Sequence, residues 1–404
     1  MIERELYLKR IRPFIDTDMV KVMTGMRRSG KSIMLELIKG ELLKRGVKSC
    51  QLVSLNFEDM CYIPLLTAAT LYNELIKRAQ SFSGKAYFFL DEIQEVKDWE
   101  KCVNSLRVAI DCDIYITGSN AKLLSGELAT YLAGRYIEFE IFPFSFAEFI
   151  DLYRSSAPNA DNAECFKAYL TFGGMPYLAN LNWQKEACNQ YLHDLFSSVV
   201  IKDIVKRGNI RDVDLLERIV FYSINHVGMP FSAASIVKFL KSEHRKVSTE
   251  TVINYLRYCC ESFLFHRVKR EDLPGKQLLS VNEKYYVADH GIRQAMCGNN
   301  MQDINQILEN IVCMELLRRG FSVTVGKMGA KEIDFAATKD GKKIYVQVAY
   351  MLASDDTIER EFGVLLEVAD NFPKYVISLD EFDMSRDGVI HKNVRDFLLD
   401  DDWS

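Results

Sequence analysis

No apolar run in this chain approaches the roughly 20 residues a membrane-spanning helix needs, and no membrane span is expected. The opening segment MIERELYLKR has no apolar core of the kind a signal peptide carries. Ten cysteines are scattered without a CxxC pair, and Cys259 and Cys260 are adjacent, where they cannot easily share a tetrahedral site. The six histidines form no HExxH or zinc-finger spacing. Structural zinc is therefore not expected, and free thiols in a reducing cytoplasm are the simpler account. Positive charge is not in excess either: 51 Lys and Arg stand against 56 Asp and Glu, a net charge of -5. A protein that coats nucleic acid over its whole surface is excluded, and any such contact must be a local patch. Repeats and long low-complexity segments are also lacking.

What is present reads as a folded protein of several domains. The content is 48% hydrophobic and 26% charged over 404 residues, too long for one ordinary core, so two to four domains are expected. Gly25-Met26-Arg27-Arg28-Ser29-Gly30-Lys31-Ser32 fits the pattern GxxxxGK[ST]. An apolar, strand-like stretch at 20–24 runs into the first glycine. A helix-like stretch at 33–43 follows, with apolar residues at 34, 35, 38 and 42. Strand, glycine loop and helix form the context in which this pattern cradles phosphate. Backbone N–H groups can surround the β-phosphate, and the helix adds the positive end of its dipole. Gly25, Arg27, Arg28, Ser29, Gly30, Lys31 and Ser32 are thus the candidate nucleotide-binding residues. Lys31 can reach the β- and γ-phosphates and Ser32 can ligate Mg²⁺. ATP and Mg²⁺ are the expected cofactors.

Further strands are expected at 51–57, 86–90, 113–117 and 136–139, with helices between several of them, so the sheet should be parallel and covered on both faces. The run at 86–90 ends in Asp91-Glu92. Asp91 is placed to hold Mg²⁺, usually through water, and Glu92 to orient the attacking water, which favours hydrolysis over a simple switch. The next strand ends in Gly118-Ser119-Asn120, and Asn120, with Ser119 second, is the candidate γ-phosphate sensor. Arg135 precedes the last strand, and its planar fork suits the charge that spreads over phosphoryl oxygens. It could act within the chain, on a neighbour's site in an oligomer, or in a surface salt bridge.

The combination GMRRSGKS, FFLDEIQEV, ITGSN and LAGRY resembles a large bacterial and archaeal family of AAA-type ATPases. Its members carry an uncharacterised C-terminal region similar to Holliday-junction resolvases and restriction enzymes. PFSFAEF, TFGGMPYL and the later LENIVCMELLRRGF, EIDFAA and YVQVAY fit as well, so the likeness covers nearly the whole chain. It implies an α/β multidomain protein: a P-loop NTPase parallel sheet, then a helical and winged-helix segment, then a restriction-endonuclease-like α/β domain. The expected domains are an ATPase domain at 1–150, a helical linker or lid at 151–211, a winged-helix-like domain at 212–295 and a nuclease-like domain at 296–404. Carried onto this sequence, Gly30, Lys31 and Ser32 bind phosphates and Mg²⁺, Asp91 and Glu92 are the metal and water carboxylates, and Asn120 is the sensor.

The residues of the later part support their own reading. A short helix over 231–240, a turn, and a second helix from Ser248 to Cys260 with Val252, Ile253, Leu256 and Cys260 inward suggest a helix–turn–helix. A strand at 263–267, a hairpin-like excursion at 271–280 and its return at 285–288 suggest a two-stranded wing. Ser248, Thr249, Thr251 and Asn254 would face bases, and His244, Arg245, Lys246, Arg257, Lys269 and Arg270 phosphates. A winged helix serves equally as a protein-docking module. In the tail, Glu309, Asp334 and Gln347 are the nuclease-like site residues. Gln347-Val348-Ala349 stands where such enzymes carry an acid and a lysine. With a methyl group for the ammonium and an amide for a carboxylate, catalysis is expected to be impaired unless Lys331 or Lys343 substitutes. The leading function is a cytoplasmic ATPase whose nucleotide state controls the DNA-binding or nuclease-like C-terminal region. An ATP-dependent nuclease in defence or repair, and a non-catalytic ATP-loaded interaction scaffold, are the alternatives.

Overall fold

Val20–Thr24 (β1) has every side chain buried, as a strand at the centre of a two-sided sheet must. The computed structural model describes residues 2–119, 121, 134–298 and 303–403. These divide into two units, 1–143 with 261–263, and 144–260 with 264–404. In the first unit β1 is joined by Leu52–Asn56 (β2), Ala86–Asp91 (β3), Cys112–Thr117 (β4) and Tyr136–Glu140 (β5). The strands lie in the order β2-β3-β4-β1-β5, all parallel.

Alternation along these strands divides the core into two layers. Val20, Val22, Phe88, Leu90, Ile114 and Ile116 pack with Ala68–Ala79 (α3) and Trp99–Ala109 (α4) through Leu71, Leu75, Val103 and Leu106. Met23, Tyr87, Phe89, Tyr115 and Phe139 face the other way, onto Glu5–Ile11 (α1) and Lys31–Lys44 (α2). Helix α2 buries Met34, Leu35, Ile38 and Leu42, a stripe at 3.6-residue period that can meet a flat sheet face. Each such side chain contributes about 1.5–3 kcal/mol by leaving water. A buried ion pair sits in this core. Lys21 on β1 is fully covered and pairs with Asp113 on β4, which also accepts from Tyr115 Oη at 2.8 Å.

The second unit begins with helices at Phe146–Arg154 (α5), Asn162–Phe172 (α6) and Lys185–Ser198 (α7), then Val213–Asn225 (α8). Ala233–Ser242 (α9) and Thr249–Glu261 (α10) follow. Ser248 Oγ caps α10 by accepting from the Thr251 N–H at 3.1 Å, as its position predicts. Val252, Leu256 and Cys259 are the buried residues of α10. Ile253, expected inward, is 54% exposed, because it falls a third of a turn off the 252–256–259 stripe.

The wing is longer than its apolar residues suggest. Phe265–Asp272 (β6) and Gln277–Val287 (β7) pair antiparallel along most of their length, including Arg270 with Leu279 and Asp272 with Gln277. Residues 271–280, expected as a hairpin-like excursion, are the outer ends of the two strands around a turn at 273–276. After His290–Cys297 (α11) and Ile304–Arg318 (α12) come Ser322–Met328 (β8), Lys331–Lys339 (β9) and Lys342–Val348 (β10). Asp355–Leu366 (α13), Lys374–Ser378 (β11), Ile390–Asn393 (β12) and Val394–Leu399 (α14) complete the unit. The hairpin is not a free ribbon. β6 pairs in parallel with β8, so one seven-stranded mixed sheet runs β12-β11-β10-β9-β8-β6-β7. The boundary expected at 295/296 does not separate two sheets. No helix among the described residues is long and apolar enough to cross a membrane.

Candidate nucleotide site

The chain leaves β1 at Thr24 and turns at Gly25, whose φ is 135°. A Cβ there would lie 2.3 Å from the carbonyl oxygen of Ile141, so only glycine lets the loop pass so close to the backbone following β5. Gly30, at φ 101°, is the left-handed residue from which α2 springs. Between them the loop closes around its lysine. Lys31 is 5% exposed and its Nζ donates to the carbonyls of Gly25 and Met26 at 3.1 Å each. Arg4, which the sequence reading missed, braces the loop from α1's N-cap position: it donates to the carbonyls of Ser29 at 3.1 Å and Phe142 at 2.8 Å. Contacts spanning 25 and 138 residues leave no local signal. Ser29 Oγ is buried and meets no partner among the described residues. Ser32, in the first turn of α2, faces solvent, as does Arg28, whereas Arg27 is tied to Glu58 at 2.7 Å.

Asp91 and Glu92 meet this loop from β3. Asp91 is 6% exposed and accepts from Thr117 Oγ1 at the end of β4. The same Thr117 oxygen accepts the N–H of Glu92 at 2.9 Å. Thr117, unnoticed in sequence, thus joins the two carboxylate residues; its signal was a polar residue closing an apolar strand. Glu92 sits at φ 53°, a conformation that costs a non-glycine residue energy and recurs at functional sites. Its carboxylate accepts from the Gln94 amide and from Ser119 Oγ at 3.3 Å, and lies 3.9 Å from Lys31 Nζ. Gln94 Oε1 is buried without a partner among the described residues. Asn120 lies outside the described residues.

Arg135 requires a correction. Its carbonyl accepts the N–H of Val20 at 3.0 Å, which places it where β1 and β5 begin. The phosphate loop follows the other end of β1, about five residues or ~16 Å away at strand rise. Its guanidinium reaches Asn104 instead, at 3.5 Å. Arg135 therefore cannot serve the site of its own chain, because parallel pairing puts the residue before β5 at the wrong end of the sheet.

In the second unit Glu309, Asp334 and Gln347 are joined in one polar network. The Asp334 N–H donates to Gln347 Oε1 at 3.1 Å, and Asp334 Oδ2 accepts from the Val348 N–H at 2.9 Å. Gln347 Nε2 donates to Glu361 Oε2 at 2.8 Å. Glu309 on α12 is linked to Asp334 through Lys284 of β7, 3.0 Å from Glu309 and 3.6 Å from Asp334. Burial and the neighbouring Glu309 push the Asp334 carboxyl up to about 8. Ala349 is buried in an apolar cluster with Ile333, Tyr345 and Phe362. Neither expected substitute is present: Lys331 pairs with Glu367 and Lys343 with Glu271. Among the described residues no three or more His, Cys, Asp or Glu are disposed to hold a metal ion. The ten cysteines form no disulfide among the described residues.

Phosphate loop, acidic strand end and five-stranded parallel sheet define a P-loop ATPase domain of the AAA type. Comparisons agree: residues 17–150 match a family model described as an AAA domain, and residues 163–303 one described as a domain of unknown function. The chain is 38% identical over 400 residues to an uncharacterised protein of Haemophilus influenzae, covering 99% of both chains. It is 31% identical to an uncharacterised protein of Methanocaldococcus jannaschii, covering 89% of this chain and 80% of that one. The Walker-type ATPase of Pyrococcus abyssi shares the fold with a TM-score of 0.52 at 15% identity, over 74% of this chain and 96% of that one. The chain belongs to the family that includes the Haemophilus and Methanocaldococcus proteins.

Proposed function

We propose that the first unit binds ATP with Mg²⁺ at the β1–α2 loop and hydrolyses it, and that the nucleotide state controls the second unit. The observation that carries this is Lys31, folded onto the carbonyls of its own loop and 3.9 Å from Glu92. Those weak carbonyl bonds can be exchanged for phosphate oxygens, which are charged and accept more strongly. The unpartnered Ser29 hydroxyl and the solvent-facing Ser32 fit a bound triphosphate and its ion. Mg²⁺, held by Ser32 and through water by Asp91, would neutralise charge on the phosphates. Glu92 then takes a proton from water as that oxygen bonds to the γ-phosphorus and the bridging oxygen leaves with ADP. Thr117 and Gln94 hold Glu92 in place for this.

The second unit is read as a winged-helix-like DNA-contacting segment continued by a nuclease-like fold. Its α9–turn–α10–hairpin order, and the succession α12, β8–β10, α13, β11, support that reading. The surface available for phosphate is smaller than the sequence suggested. Arg245 is engaged by Asp212 and Asp214, and Arg270 by Glu332. His244, Lys246, Ser248, Thr249, Arg257 and Lys269 remain exposed.

Steady-state ATP turnover of the protein and of Glu92→Gln, with and without duplex and branched DNA, tests this. Turnover that rises with DNA and vanishes in the variant is expected. Turnover indifferent to DNA would assign control to a protein partner. Tight ATP binding without turnover would make the chain a scaffold.

A further inference from the structure

Lys331 and Lys343, the lysines expected to substitute beside β9 and β10, are paired with Glu367 and Glu271. The structure supplies one from a different element. Lys284 projects from β7, which the sheet order places beyond β8 and β6 from β9. Register shifts at Val268/Arg270 and Thr324/Gly326 lie in those intervening strands, and such bulges bend and twist a sheet. The side chain is 3% exposed, and its Nζ lies 2.8 Å from Glu332 Oε1, 3.0 Å from Glu309 Oε1 and 3.6 Å from Asp334 Oδ1. Two carboxylates of a nuclease-like centre, and a third from the same strand, therefore converge on one ammonium.

We propose that Lys284 is the built-in cation of this centre: its ammonium holds the place among Glu309, Glu332 and Asp334 that a divalent ion would need, which makes the cluster a structural keystone and closes it to metal-dependent hydrolysis. Most groups facing the cluster are already engaged among the described residues. Tyr286 Oη, on the same strand, donates to Glu309 Oε1 at 2.6 Å. Arg270 of β6 holds the other side of Glu332 at 2.8 Å. Val348 and Gln347 of β10 bind Asp334, and Gln347 passes the network to Glu361 of α13, which Arg360 neutralises at 2.6 Å. Mg²⁺ requires oxygens at about 2.0–2.1 Å and Ca²⁺ at about 2.3–2.6 Å. An ammonium 2.8–3.0 Å from two of the carboxylates leaves no room for either ion, and its charge repels it. An ammonium also suits the glutamine and the apolar Ala349 as a metal does not, since neither adds a charged ligand. The proposal is independent of the ATPase reading, which concerns the first unit alone.

The test is Mn²⁺ uptake by the nucleotide-free full chain, followed by the EPR signal of free Mn²⁺. Asp91→Asn serves as the background, to silence the first unit's metal position. The parent cluster should take up no Mn²⁺, and adding Asp334→Asn should change nothing. Lys284→Met should gain one Mn²⁺ per chain and melt at higher temperature with Mn²⁺ than with EDTA, and both gains should vanish in Lys284→Met with Asp334→Asn. Uptake by the parent that Asp334→Asn abolishes overturns the proposal, as does Mn²⁺-dependent DNA nicking lost in Asp334→Asn. A folded Lys284→Met that gains no ion overturns it too. Should that variant not fold, the parent's uptake and nicking decide alone.

Discussion

Thr117 gives one hydroxyl to two tasks, donating to Asp91 and accepting from the backbone of Glu92. Thr117→Val keeps the shape and removes both bonds. Turnover should fall about 10–100-fold, the usual loss when a group supporting a catalytic residue is removed, with ATP affinity little changed in an equilibrium binding titration. Lys31→Ala should lose ATP binding itself. Glu92→Gln should bind ATP yet turn over slower by about 10²–10⁴-fold, the range of general-base catalysis. A variant that hydrolyses like the parent would remove Glu92 from its role. Asp334 makes a pH prediction. Its folded carboxyl titrates near 8, above the unfolded value of about 3.9, so the native state holds the proton more firmly. Stability should therefore fall as pH rises from about 4 to 8. Denaturant midpoints should show that slope, and Asp334→Asn should flatten it.

Elements carry the next set of consequences. Gly25→Ala would drive a Cβ into the Ile141 carbonyl, so the loop must shift; loss of ATP binding is expected with the melting temperature of the nucleotide-free protein also lowered. Asp113→Ala leaves the buried Lys21 without its counter-charge, which should cost about 3–5 kcal/mol in chemical denaturation. Much of the first sheet was legible. β1 occupies the residues expected, and the other four strands agree to within about a residue, because each is an apolar run bounded by turn-formers. The places of Asp91 and Glu92 were legible for the same reason, at the end of such a run, and those of Lys31 and Ser32 from the glycine pattern that opens α2. The position of Arg135 was not, because strand direction is decided by pairing between distant segments. Arg4 and Lys284 were hidden too, being placed by contacts across 25 and 138 residues for one and 25 to 50 for the other. The hairpin's outer half was legible only as a hairpin-like excursion, since Lys269, Arg270, Glu271 and Asp272 mask a strand held by its backbone ladder.

At the scale of the whole molecule, the testable quantity is coupling between nucleotide and DNA. If the proposed DNA contact runs through the exposed Lys246, Arg257 and Lys269, binding should weaken only modestly with salt. Three or four phosphate contacts give a slope of about -3 in log affinity against log salt, measurable by fluorescence anisotropy. A far steeper slope would mean that other surfaces bind. If Arg135 acts on a neighbour's site, specific turnover should rise with protein concentration and Arg135→Ala should abolish the rise.

The shared strand β6 has one more consequence. It is paired on one side with the hairpin's β7 and on the other with β8, so neither part of the second unit owns it. A chain ending after residue 295 would bare an unpaired strand edge and strand Lys284 without Glu309, Glu332 or Asp334; it should aggregate, whereas residues 144–404 together should express as a folded protein. In a lineage, the helix–turn–helix and the tail would then be inherited or discarded as one piece. Shuffling one onto another protein without its companion would carry an open wound along the sheet.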